Sequence, residues 1–149
     1  MSLDHAVKII PFFTTPHVGA LLGFYKTHLG DFKISAHPPD TPEPTFASIA
    51  AGPGAAANIY ILQDGERARG SCMVMLDSLP VLGQLYERLV GQEELQHSDG
   101  VVWTGKPESV EGASAVIGPL EDKPWGYRQF DLVDPHGNLI VFFAFLEGD

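Results

Sequence analysis

The chain has 149 residues, with nine Lys and Arg against nineteen Asp and Glu, a formal net charge of −10, and a single cysteine. So few basic residues exclude the clustered positive surface that nucleic acid requires, and one cysteine excludes an intramolecular disulfide and suits a reducing, cytoplasmic setting. No apolar run is long enough to span a bilayer and no basic, apolar leader opens the chain, so no membrane partner is expected. A chain of this length can bury about 68–70 % of its unfolded surface as one domain. The acidic excess serves solubility or draws in a cationic ligand.

In chain order, the apolar run from Ala6 to Thr14 reads as a strand. A helix over about residues 16–29 follows, with Thr15 as N-cap and Pro16 at its first position. Residues 31–37 continue as a strand, and Pro38, Pro39, Pro42 and Pro44 then force an extended loop, because proline cannot donate to a ladder. Strands are predicted over residues 46–50 and 58–63, joined by a Gly-rich connection. The charged stretch 64–70 reads as a linker.

A second unit then begins with a strand at Ser71 to Leu76 and a helix over about residues 79–90. Residues 92–112 are polar except for Val101-Val102-Trp103, so this stretch is either a flap or hides a strand at 101–104. A strand is predicted over 113–117. The chain closes in a hairpin, Tyr127 to Val133 and Leu139 to Leu146, around the turn Asp134-Pro135-His136-Gly137-Asn138.

Two features suggest an internal repeat. Leu21 to Gly30 (LLGFYKTHLG) reads like Leu82 to Gly91 (LGQLYERLVG), with Tyr25 matching Tyr86 and Gly30 matching Gly91 at an offset of 61. Each helix follows an apolar strand and ends in a glycine suited to a helix C-terminus. With Pro124-Trp125-Gly126 ahead of it, the C-terminal hairpin resembles the last hairpin of the vicinal oxygen chelate superfamily. That superfamily includes glyoxalase I, extradiol dioxygenases, fosfomycin resistance enzymes and bleomycin resistance proteins. The resemblance implies an α+β fold of two tandem βαβββ modules forming a cup, completed as a homodimer. Module one is expected over about residues 5–63, the linker over 64–70 and module two over about 71–147.

In the metal-dependent members, ligands come from the first and last strand of each module. Those positions are expected at Ile10, at Ser71 or Cys72, at Tyr60 and at Val141. Imidazole or carboxylate donors are what Zn²⁺, Ni²⁺, Mn²⁺ or Fe²⁺ would need there, so neither a metal ligand nor a cofactor is expected. His5, His17, His28, His37, His97 and His136 are scattered and read as solvated surface residues. Cys72 reads as a small buried apolar residue, since no neighbouring base would lower its pKa.

What the expected cup offers instead is apolar and aromatic. By period-two alternation Phe12, Tyr60, Met73, Val141 and Phe143 line it, and Trp103 and Trp125 lie in loops from which an indole can stack on a ligand. Arg128 either pairs an acidic ligand group or a structural carboxylate. These eight are the candidate ligand-binding residues. The same residues would also fill a core packed shut. The resemblance is strongest to the bleomycin resistance branch, which implies a metal-free protein that binds a flat or aromatic, cationic small molecule. The alternatives are a metal-dependent lyase or dioxygenase with relocated ligands, or a metal-free enzyme using Tyr60 or Arg128.

Overall fold

The protein is described here by a computed structural model covering residues 3–147. Two sheets, each backed by one helix, make up the fold. In the first, β1 (Phe12–Thr15), α1 (Val18–His28), β2 (Lys33–His37), β3 (Phe46–Ala51) and β4 (Ala57–Gln63) give a four-stranded sheet in the order β1-β4-β3-β2. In the second, β5 (Ser71–Met75) precedes α2 (Leu79–Val90). Then come β6 (Gln96–His97), β7 (Val116–Ile117), β8 (Glu121–Asp122), β9 (Tyr127–Val133) and β10 (Leu139–Phe145). Its strand order is β5-β10-β9-β7-β6, with β8 on β9.

The repeat read from the helices extends to the topology. The first strand of each sheet runs parallel to the last, β1 with β4 and β5 with β10, and all other pairs are antiparallel apart from the short parallel pair β6–β7. A parallel pair needs a long crossover, and in both sheets the helix supplies it.

Several boundaries differ from the sequence expectation. The first strand begins at Phe12 rather than Ala6: Val7 and Ile9 are almost fully exposed, and β4 reaches back only as far as the Pro11 carbonyl, which accepts from the Tyr60 amide (3.0 Å). Helix α1 begins at Val18. Thr15 ends β1, so its hydroxyl accepts from the His17 amide (2.9 Å), and the side-chain carbonyl of Gln63 receives the Val18 amide (3.3 Å). The cap of α1 thus comes from another strand. Helix α2 is capped locally by Ser78, whose hydroxyl accepts from the Val81 amide. Gly91 closes it at φ −76°, so no left-handed conformation is used there.

The segment 98–115 forms no strand: Trp103 donates its indole N–H to the Gly137 carbonyl (2.7 Å), and the Gly105 carbonyl accepts from the Arg69 amide (2.8 Å). It is a strap fastened over the C-terminal hairpin. The two-residue strands β6 and β8 were too short to show any periodicity.

Alternation along the strands sends one face of each sheet under its helix. In the first sheet Phe13, Ala47, Ile49, Ile59 and Ile61 are buried on that face with Leu21 and Tyr25 of α1. In the second, Phe130, Leu132, Ile140 and Phe142 are buried with Leu82 and Leu89 of α2, and Tyr86 packs edge-on to Phe130 at 5.1 Å. Each fully buried large side chain contributes roughly 1.5–3 kcal/mol.

The two sheets are joined by the hairpin turn. The Asn138 side-chain amide accepts from the Thr14 amide (3.1 Å) and donates to the Thr14 carbonyl (3.0 Å), filling the open edge of β1 as a neighbouring strand would. The same oxygen accepts from the Gly70 amide (2.9 Å). Glycine is required at position 70, where a Cβ would strike the Phe12 carbonyl.

Candidate functional site

The faces turned away from the helices carry the candidate residues. On the first sheet Phe12 pairs with Tyr60, and Ser48 also lies opposite Tyr60. Phe46 meets the Tyr60 ring edge-on at 5.0 Å, and the Ser48 hydroxyl donates to the Asn58 side-chain carbonyl (2.9 Å). On the second sheet Met73 pairs with Val141 and Met75 with Phe143, while Tyr127 stacks on Phe143 at 4.4 Å and meets Phe145 edge-on. Phe12, Met73 and Met75 remain 50–58 % exposed. Large apolar side chains that open to solvent on adjoining positions mark a surface meant to be covered.

Of the eight sequence candidates, the strands bring Phe12 and Tyr60 together on one open face, and Met73, Val141 and Phe143 on the other. Trp125 stands at the edge of the second face, 60 % exposed, its indole donating to the side-chain carbonyl of Gln129 (3.3 Å). The other two are elsewhere. Trp103 is spent in the strap, held by Gly137. Arg128 follows Phe130 and Leu132 to the helix side of β9 and forms a two-point ion pair with Asp122 of β8 (2.6 and 3.3 Å).

Asp131 was not singled out by sequence reasoning, yet it lies directly opposite Val141 on the second open face. Burial raises its carboxyl pKa, with Lys123 pulling the other way and Glu121 adding to the rise. The signal was present: Asp131 alternates in step with Tyr127 and Gln129, which share that face. Its neighbours are polar: Lys123 and Glu121 act on it through charge, and the Gln129 side chain hydrogen-bonds to it.

The positions that would hold a metal move by two residues. Ile10 lies ahead of β1, outside the sheet, and the residue paired with Tyr60 is Phe12; the residue paired with Val141 is Met73, not Ser71 or Cys72. Phe12 and Met73 keep the offset of 61. Phe12, Met73 and Val141 offer no imidazole or carboxylate, and Tyr60 alone cannot hold a divalent ion, so these residues do not fit a metal centre of the superfamily's kind. Among the described residues no group of three or more His, Cys, Asp or Glu gathers as a candidate metal site. Cys72 lies on the helix side of β5, and burial pushes its thiol up to about 12, so it is held protonated.

The densest polar cluster sits at the module junction. Asp134 is buried and accepts from the Tyr25 hydroxyl (2.8 Å), the amides of His136 (2.8 Å) and Asn138 (3.1 Å), and the Asn138 side chain (3.1 Å). Burial lifts its pKa to about 6 against the pull of those hydrogen bonds. His136 was expected at the surface but is only 9 % exposed: its Nδ1 is hydrogen-bonded to the Thr15 hydroxyl. Burial first, then the nearby positive charge of Arg69, lowers its pKa to about 4, so it is neutral. Arg69 is buried beside it and donates Nε to the His136 carbonyl (2.8 Å), while its other nitrogens reach Thr14 Oγ1 and the carbonyls of residues 64, 67 and 108. A hydroxyl as buried as that of Thr15 is closed to a substrate. The cluster is a joint, built by the turn motif that the sequence shows only as punctuation.

The two sheets and the parallel closing strands match the fold of solved glyoxalase and bleomycin resistance proteins. Among solved structures the chain is similar to the bleomycin-binding protein of Streptomyces verticillus crystallised with copper(II)-bleomycin, at 20 % identity and TM-score 0.62 over 93 % of this chain and 95 % of that one. It is similar to a glyoxalase/bleomycin resistance protein/dioxygenase from Nocardioides, at 22 % identity and TM-score 0.61 over 100 % and 89 %. It is also similar to the bleomycin resistance determinant encoded on the transposon Tn5, at 17 % identity and TM-score 0.63 over 93 % and 98 %. No protein-family model and no curated protein matches the sequence.

Proposed function

We propose that this protein binds a flat, aromatic, positively charged small molecule in the cytoplasm, without a metal. In this reading two copies of the chain bring the open face of one sheet against that of another. The observation that carries the reading is the composition of those faces: half-exposed Phe12, Met73 and Met75, the stacked Tyr127–Phe143 pair, and the carboxylate of Asp131 opposite Val141, beside Lys123 and Gln129. Thioether and aromatic surfaces grip planar ligands without demanding one exact shape. A carboxylate in a partly desolvated setting favours a cation over a neutral ring, and the net charge of −10 concentrates cations around the protein. Similar folds crystallised with bleomycin support ligand capture as the use of this architecture.

Titration with proflavine, a planar aromatic cation, while tryptophan emission is followed, tests the reading. Saturable quenching at micromolar concentrations is expected, with weaker binding in Asp131→Asn and most of the signal lost in Trp125→Phe. Sedimentation should show a dimer. Unchanged emission with proflavine, or equal binding by Asp131→Asn, would contradict the assignment.

A further inference from the structure

On the helix side of the sheets, between the two modules, lies a pocket of about 310 Å³ that opens to solvent beside the exposed side chains of Asp31 and Arg88. It does not touch the open faces. Its apolar lining includes Phe32, Ala51 and Ala57 from the first module and Val74, Leu85 and Phe142 from the second. Ala51 and Ala57 are partners at the end of the β3–β4 hairpin, and their small side chains leave the volume unfilled. Its apolar walls offer water few of the two to four polar partners it takes up, so an apolar ligand would displace weakly held solvent.

The polar groups of the lining are Asp31, Gln84 and Arg88. Arg88 of α2 and Asp31, just before β2, form an ion pair through both guanidinium NH groups, tying the modules together at the cavity. The pair draws the Asp31 carboxyl below its ordinary range. A ligand anion would have to compete with Asp31 for Arg88, and a cation would have to compete with Arg88 for Asp31. A neutral hydroxyl can instead accept from Arg88 or Gln84 and donate to Asp31 or Gln84 while the pair stays closed. Size narrows the choice further. An apolar cavity of about 150 Å³ accommodates benzene, and one of twice that volume suits a fused two-ring molecule. Phe32 and Phe142 offer ring edges and faces to it.

We propose that this cavity is a second ligand site, separate from the open sheet faces, that takes a neutral two-ring aromatic molecule carrying a hydroxyl group. The full-length protein, labelled with ¹⁵N, is titrated with 2-naphthol and followed by amide chemical shifts. Saturable shifts are expected at Ala57, Val74 and Leu85 with Phe12, Met73 and Val141 unmoved. Ala57→Phe should weaken binding by about tenfold or more, since overpacking the space excludes the rings. If that variant loses its dispersed spectrum, Leu85→Phe serves as the filling variant. 2-Naphthoate, of the same shape but charged, should bind at least about tenfold more weakly. Shifts confined to the open faces, no saturable shift, a folded filling variant of undiminished affinity, or tighter binding of 2-naphthoate would each overturn the proposal.

Discussion

Two groups at the module junction titrate in opposite senses, and replacing either one should expose the other. Asp134 has a folded pKa of about 6 against an ordinary 3.8, so between those values the folded state holds a proton that the unfolded chain has released. Its contribution is therefore present below about pH 4 and is lost as pH rises through 6, a fall of about 3 kcal/mol at ~1.4 kcal/mol per pH unit. His136 has a folded pKa of about 4 against an ordinary 6.5, so across that window the unfolded chain holds the extra proton. Its contribution is present above about pH 6.5 and is lost as pH falls through 4, again about 3 kcal/mol. In the wild type the two nearly cancel. Urea denaturation at half-unit steps from pH 4 to 6.5 should leave their summed contribution flat to within about 1 kcal/mol. Asp134→Asn should gain about 3 kcal/mol relative to wild type on going from pH 4 to 6.5, and His136→Asn should lose about as much. The slope is the readout, since any fixed cost of a lost hydrogen bond shifts the whole curve without tilting it. Profiles of both variants parallel to wild type would refute the burial argument for the junction.

Three further outcomes follow from the same geometry. Asn138→Ala leaves the Thr14 amide and carbonyl and the Gly70 amide without their partner, and should cost roughly 3 kcal/mol or more in chemical denaturation. Cys72, with its thiol held protonated and packed against the core, should react with Ellman's reagent only as fast as the chain unfolds; prompt reaction in native buffer would contradict its placement. Arg128→Ala breaks only an exposed pair with Asp122, so thermal midpoint and proflavine affinity should both stay at wild-type values.

Local pattern made much of this molecule legible. Period-two alternation placed β4, β5, β9 and β10, the proline cluster marked the β2–β3 loop, and α2 runs over the residues read as its span, because Ser78 caps it from within the same segment. The helix repeat at an offset of 61 reappears in the Phe12 and Met73 positions, since a duplicated module preserves register. Alternation also sorted Phe12, Tyr60, Met73, Val141 and Phe143 onto the open faces.

What needed the tertiary structure was anything decided by a partner distant in sequence. The start of β1 is set by its parallel pairing with β4, Phe12 against Tyr60, and the start of α1 by Gln63, 45 residues beyond Val18. Trp103 carries chemistry that suits a ligand, but Gly137, 34 residues away, claims it, whereas the structural carboxylate weighed for Arg128 is the nearby Asp122. His136 read as a surface residue because a turn is usually solvated; it is buried because the Asp134–Asn138 turn lies against β1 and Arg69. Hydrophobic period is a property of neighbouring residues and survives in the sequence, whereas the pairing of buried polar groups belongs to the assembled fold.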